Sequence, residues 1–293
     1  MTLGWYTPPT KPKTLGVFAR ADPATQRKSD HGKYYATKDF FDPVKKRRVL
    51  WGWGVPPLDA QSLPREVTWN PELQQLCYAP LEEQAELRLA PALATPSSPF
   101  VLQPDAAPHV LGPWPGSVGN QSEVQVTFAL PTAATTIGLV VMGGADVESS
   151  GTLFFVDFTL PSSPDGAIVW PRTVVVGAMT NRTAATKSGN FNCGTPGVKC
   201  YNDTLQLTAR DRNITLRAFV DNNVAECYWQ DNRVASFVEA PATVEAAVAL
   251  FSTGNSSVAQ TVESVEAWRV GDIWISPEEL LATPRTDGKG KGA

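Results

Sequence analysis

The stretch Asp30-His31-Gly32-Lys33-Tyr34-Tyr35-Ala36-Thr37-Lys38-Asp39-Phe40-Phe41-Asp42-Pro43, continued by Lys45-Lys46-Arg47-Arg48-Val49-Leu50-Trp51-Gly52-Trp53-Gly54, decides how this chain is read. Its aromatic pairs suit a pleated surface, and Asp42-Pro43 is turn chemistry, the proline presetting its own φ. The segment therefore reads as a strand, a turn and a returning strand. On the second strand Val49, Trp51 and Trp53 share one face and Arg48 and Leu50 the other, so both tryptophans read as core. The entry is an acid, a His-Gly turn, and a lysine three residues after the acid. That spacing sets Asp30 and Lys33 on one rim, paired across the turn. An acceptor beside a donor suits sugar hydroxyls; the plainer alternative is a turn aspartate and a solvated lysine.

Outward from this hairpin the chain stays β-rich. Leu15–Ala19 is a candidate strand upstream, and Pro64–Trp69 and Leu73–Tyr78 are two more downstream, separated by Asn70-Pro71. From Pro80 the texture changes: Leu81–Arg88 reads as a short helical turn, and Pro91 and Pro96 interrupt the chain beyond it. Past residue 100 short strands alternate with turns. Glu123–Phe128 alternates as a half-buried strand does, whereas Ile137–Met142 and Leu153–Phe158 are continuously apolar and so more central. Ile214–Val220 and Val224–Trp229 flank Asp221-Asn222-Asn223, a tight hairpin because asparagine tolerates positive φ. Many strands and few helices give a two-sheet sandwich.

The 293 residues are 42% hydrophobic and 18% charged, with a net charge of −4, enough for one large or two ordinary domains. The mild acidity gives no reason to expect nucleic acid or an anionic membrane as partner. No apolar run reaches the roughly 18 residues that span a bilayer. Five Asn-X-Ser/Thr sequons, at Asn120, Asn181, Asn202, Asn213 and Asn255, point to a glycosylated protein of the secretory pathway. Cys193 and Cys200 bracket a Gly-Thr-Pro-Gly loop that can close as a local disulfide, while Cys77 and Cys227 read as buried free thiols. No cysteine pair has metal spacing, and His31 and His109 have no nearby triad partners; neither a metal nor a cofactor is expected. Met1–Pro9 lacks the basic start and apolar core of a signal peptide, so Met1 reads as internal to a longer protein.

The segments Asp30–Lys38, Arg47–Trp53 and Gln61–Val67 closely resemble glycoside hydrolase family 32, the invertases (β-fructofuranosidases) and fructan-active enzymes. Leu216–Arg233 resembles the C-terminal sandwich of the same family. The resemblance implies an all-β chain: residues 1–80 as the fifth and last blade of a five-bladed β-propeller, 81–98 as a linker and 99–285 as a two-sheet β-sandwich, while the Gly- and Lys-rich composition of 286–293 reads as a disordered tail. A single blade leaves edges exposed and is an aggregation hazard alone.

Retaining glycosidases use two carboxyl groups about 5 Å apart, one a nucleophile and one an acid/base. In the resembling family these lie in Trp-Met-Asn-Asp-Pro-Asn-Gly and Glu-Cys motifs, with a third aspartate in Arg-Asp-Pro. The chain has no Asn-Asp-Pro, and Arg20-Ala21-Asp22-Pro23 misses Arg-Asp-Pro by one residue. Glu226-Cys227 spells Glu-Cys but falls in the sandwich hairpin; it reads as a coincidence, with Cys227 packing inward. No catalytic residue is therefore carried over. Asp30 and Lys33 match the family's Asp-X-Gly-Lys pair, which implies a role in holding the sugar. The expectation is the C-terminal part of a secreted or vacuolar fructosidase that hydrolyses or transfers β-fructofuranosyl units of sucrose or fructans when complete. The alternatives are a non-catalytic glycan-binding or folding module, with residues 1–80 dispensable, and an inactive truncated relic.

Overall fold

The computed structural model describes residues 4–12, 14–20, 28–56, 58–95, 98–112, 114, 119–158, 170, 172–180, 197–240, 247–254, 258–273 and 276–282. Strands β1 (Gly4–Thr7) and β2 (Val17–Arg20) pair only with each other, and Trp5 meets Trp69 edge-on at 5.8 Å. Next comes a blade-like antiparallel sheet, built from β3 (Tyr34–Asp42), β4 (Arg47–Gly54), β6 (Arg65–Asn70) and β7 (Gln75–Pro80), with the two-residue β5 (Ala60–Gln61) against β4. The β3–β4 turn is closed as expected, Asp42 Oδ1 accepting from the Val44 N–H at 2.9 Å. β4 lies inside the sheet, so Val49 and Leu50 are both buried. Trp53 differs from its core reading: it stands at the strand's end and is 39% exposed, while Trp51 is half-buried against Phe40.

A 3-10 helix over Glu82–Leu87 matches the expected helical turn. The next residues do not form a plain linker. Arg88–Ala94 is strand β8, hydrogen-bonded to the sandwich, so the sandwich sheet begins inside the 81–98 stretch. Pro91 is tolerated there because β8 is an edge strand, where a missing N–H faces outward.

The remaining strands are β9 (Phe100–Leu102), β10 (His109–Leu111), β11 (Gln121–Ala129), β12 (Thr136–Gly143), β13 (Thr152–Asp157), β14 (Arg172–Thr180), β15 (Lys199–Leu207), β16 (Asn213–Asp221), β17 (Val224–Trp229), β18 (Val234–Glu239), β19 (Ala247–Thr253) and β20 (Gln260–Val270). One sheet runs β10-β19-β12-β13-β14-β15; the other runs β18-β17-β16-β11-β20-β8, with β9 also on β20. Helix α1 (Pro277–Ala282) comes after them. The β16–β17 hairpin turns at Asn222 with φ +52°, the left-handed geometry that asparagine permits.

The main core lies between the two sheets, where alternate residues such as Val124, Val126 and Phe128 of β11 face Leu139 and Phe154 of the other sheet, with Trp229 of β17 in the same core. β12 and β13 are buried on both faces, which is why their sequence is continuously apolar: Val140, Leu153, Phe155, Met179 and Phe251 form a second cluster on the outer side. Cys227 sits fully buried in the main core, and Cys77 is also a buried free thiol. Cys200 is disulfide-bonded; Cys193 lies outside the described residues, as do the C-terminal tail, Asn181 and Asn255.

Phe154 is fully buried and meets Trp229 edge-to-face at 5.8 Å. Phe154→Ala is expected to lower unfolding free energy by about 3–5 kcal/mol, read from the urea midpoint, because transfer and cavity costs add at a site this tightly filled.

Candidate functional site

The residues that single out the opening stretch meet at the seam between blade and sandwich. Segment Asp30–Lys33, ahead of β3, lies along β18. The His31 N–H donates to Ala235 O at 3.1 Å and the Lys33 N–H to Phe237 O at 2.7 Å. Asp30 Oδ1 accepts from the Gly32 N–H at 2.7 Å and from the Phe237 N–H at 3.0 Å. Gly32 is dictated by this approach: a Cβ there would stand 2.0 Å from Phe237 O.

Beneath the segment lies Arg65, at the start of β6, with none of its side chain exposed. Its Nη2 stands 2.8 Å from Asp30 Oδ2 and donates to Glu226 Oε2 at 2.6 Å. Nε donates to Tyr228 Oη at 3.0 Å, and Nη1 to Ser29 O at 3.2 Å. Tyr228 in turn donates to Glu226 Oε2 at 2.7 Å, and Glu226 Oε1 accepts from the Leu63 N–H at 2.6 Å. The guanidinium also lies over the Tyr34 ring, 4.6 Å from its centroid. Burial works against the charge on Arg65, but Tyr228, Glu226 and Asp30 outweigh it and hold the group well above its ordinary pKa. Burial pushes Tyr34 up to about 12, against a smaller opposing pull from Arg65.

A second charged group closes the outer end of the seam. Glu239, at the end of β18, pairs with Lys33 and, at 2.9 Å, with Lys199 of β15. Burial raises its carboxyl, yet the hydrogen bonds and charges of the two lysines win and leave it below the ordinary value. His31 Nε2 lies 2.6 Å from Asp203 Oδ2, also on β15.

Asp30 and Lys33 thus share the seam but take different partners: Asp30 meets Arg65 and Phe237, Lys33 meets Glu239. The pairing of the two across the turn is replaced by contacts to the sandwich. Glu226-Cys227 divides between the faces of β17. Cys227 enters the core as expected, and Glu226 on the opposite face supplies an anion for Arg65. Sequence reasoning gave no role to Arg65 or Glu239 and dismissed Glu226 as a coincidence; the only local signal was a lone charged residue within an otherwise apolar strand, at Glu226. Of the sequon asparagines, Asn202 is exposed on β15, and Asn120 and Asn213 are half-buried. His109 packs its ring on Phe100 at 4.7 Å.

Beside the seam a cleft of about 500 Å³ opens between blade and sandwich, lined by Trp51, Gln61, Gln84, Gln121, Phe219 and Glu226 among others. Its aromatic rings, amides and carboxylates can take an uncharged polyhydroxylated ligand, by stacking and hydrogen bonding. Among the described residues no group of His, Cys, Asp and Glu is arranged to hold a metal ion, and no helix is long and apolar enough to cross a membrane.

Arg65→Met is expected to destabilise the chain by about 3–5 kcal/mol in urea titration, because Asp30 and Glu226 are left as buried, uncompensated anions. Glu239 gives a pH signature. Its folded pKa is depressed, so its contribution is full above the unfolded carboxylate value of about 4.3 and is lost as pH falls through the lower folded value. Melting curves between pH 6 and 3 should fall less steeply for Glu239→Gln than for the wild-type chain (roughly the carboxylate titration range).

Comparison with known proteins fits this architecture. The family described as glycosyl hydrolases family 32 C terminal matches residues 101–269. The chain is 25% identical over 281 residues to a β-fructofuranosidase, insoluble isoenzyme 1, of Daucus carota, covering 82% of this chain and 44% of that protein. It is 26% identical over 318 residues to β-fructofuranosidase 1 of Zea mays, covering 96% of this chain and 44% of that protein. The chain therefore spans under half the length of these relatives. Among solved structures, fructan 1-exohydrolase IIa from Cichorium intybus superposes with a TM-score of 0.67 at 20% identity, over 84% of this chain and 49% of that one. Exo-inulinase from Aspergillus awamori gives 0.59 at 17% identity, over 88% and 48%. The matched sandwich makes up more than half of the chain, which belongs to glycoside hydrolase family 32 as a C-terminal part of its fold.

Proposed function

We propose that this chain is the C-terminal portion of a retaining glycosidase of the secretory pathway that hydrolyses or transfers β-fructofuranosyl units of sucrose or fructans. The observation that carries this reading is the Asp30-His31-Gly32-Lys33 entry to β3, which has the family's pattern and is held by an extensive set of contacts. Asp30, with no side-chain surface exposed, and Lys33 are held in the seam by Arg65 and Glu239, so their part in the complete enzyme is to fix the blade against the sandwich rather than to take the sugar's hydroxyls directly. The structural relatives include fructan 1-exohydrolase IIa in complex with 1-kestose, which supports a fructan or sucrose as substrate. The five sequons support passage through the secretory pathway. The nucleophile and the acid/base are supplied by chain outside these 293 residues.

A second reading, a non-catalytic glycan-binding module, is favoured by the cleft lined by Trp51 and Phe219. The seam argues against its stronger form, in which residues 1–80 are dispensable: Asp30–Lys33 and Arg65 are built into the sandwich surface.

The test is to capture the native polypeptide with an antibody against the sandwich, remove glycans, weigh it, and assay it with sucrose and 1-kestose. The expected result is a longer polypeptide with an Asn-Asp-Pro peptide that releases fructose, while the 293-residue chain alone releases none. A native polypeptide of this length that binds 1-kestose without cleaving it, with binding lost in Phe219→Ala, would establish the second reading instead.

A further inference from the structure

β18 ends the seven-stranded sheet, and its outward backbone groups are met by Asp30–Lys33. The two bonds advance by two residues in the same chain direction on both segments, from His31 and Ala235 to Lys33 and Phe237, as in parallel strand pairing. Where a parallel partner would offer a backbone carbonyl to the Phe237 N–H, Asp30 Oδ1 takes its place at 3.0 Å. Side chains then read the segment residue by residue. Asp30 faces Arg65, which Glu226 holds from the sandwich, His31 faces Asp203, Gly32 permits contact with Phe237 O, and Lys33 faces Glu239. The blade meets the segment through Arg65 and at its Lys33 end, where the Val55 N–H donates to Lys33 O at 3.0 Å; the groups that read Asp30 Oδ1, His31 and Gly32, and the anion that pairs with the Lys33 ammonium, belong to the sandwich.

We infer that the trough between β15 and β18 is a sequence-specific strand-docking site for an extended Asp-His-Gly-Lys segment, able to take that segment from a second copy of this chain as well as from its own. Main-chain bonds supply affinity in such strand addition, and the side-chain contacts supply selectivity. The native segment runs into β3 of a blade docked on the sandwich through Arg65 and Glu226, so a second copy's segment gains access only where the native one is displaced. The inference depends on this geometry alone and stands whether or not the chain is part of a fructosidase.

The experiment uses the full 293-residue chain carrying Gly32→Val, whose side chain collides with Phe237 O and frees the trough. The probe is a fluorescent synthetic peptide of residues 28–36. Polarisation should show it binding this variant at least about tenfold more tightly than it binds the wild-type chain, whose trough is filled. A peptide with valine in place of its glycine should bind the variant about tenfold more weakly, a difference of about 1.4 kcal/mol. Circular dichroism checks that the variant is folded. If Gly32→Val does not fold, His31→Ala with Lys33→Ala in the full chain loosens the native segment without added bulk and is given the same two peptides. Equal binding of the two peptides, or no binding by a folded variant, overturns the proposal.

Discussion

A guanidinium with none of its surface in water must be met by anions and acceptors, and Arg65 is the constraint around which this chain is assembled. One carboxylate comes from the blade and the other from the sandwich, so the charge is satisfied only when the two units are in contact. A buried pair of this kind adds little net stability over an apolar replacement, but leaving it half-made is costly. Its value is in excluding other arrangements. Phe219, Tyr228 and Ala235 with Leu63 provide the apolar part of the same seam, which any roughly matched surface could provide; the ions fix the register.

Glycine and aromatic geometry enforce the same alignment. Gly32 lets the backbone touch Phe237 O, and Gly54 lets the Phe237 ring approach, since a Cβ there would stand 2.2 Å from the ring. Close approach brings Asp30 and Lys33 under the control of residues from the other unit. The Asp-His-Gly-Lys segment is thereby shaped by the sandwich as much as by the blade.

Much of the fold is legible because it is written in local periodicity. The alternation of β11, the doubly apolar β12 and β13, the Asp42-Pro43 turn and the Asn222 hairpin each depend on residues a few positions apart. Trp53 escapes such a reading because its spacing says which face it lies on and nothing about what covers that face. β8 escapes it because its prolines resemble a linker until an edge partner is known. Glu226 is the instructive case: its neighbour Cys227 behaves as the local pattern requires, but the meaning of the glutamate lies in Arg65, 161 residues earlier. Pairs of opposite charge at that separation leave no periodic trace.

That separation also has a consequence in time. The segment at Asp30 leaves the ribosome some 207 residues before Phe237, its hydrogen-bond partner. At usual rates of synthesis the interval is roughly 10–40 s, far longer than a hairpin takes to form. During it the blade has its strands but not its seam, with Leu63 and the Arg65 guanidinium uncovered and three acidic partners, Asp203, Glu226 and Glu239, still unmade. The order of translation thus makes the early blade a waiting intermediate, and its escape from nonspecific association depends on how quickly the last edge of the sandwich is delivered.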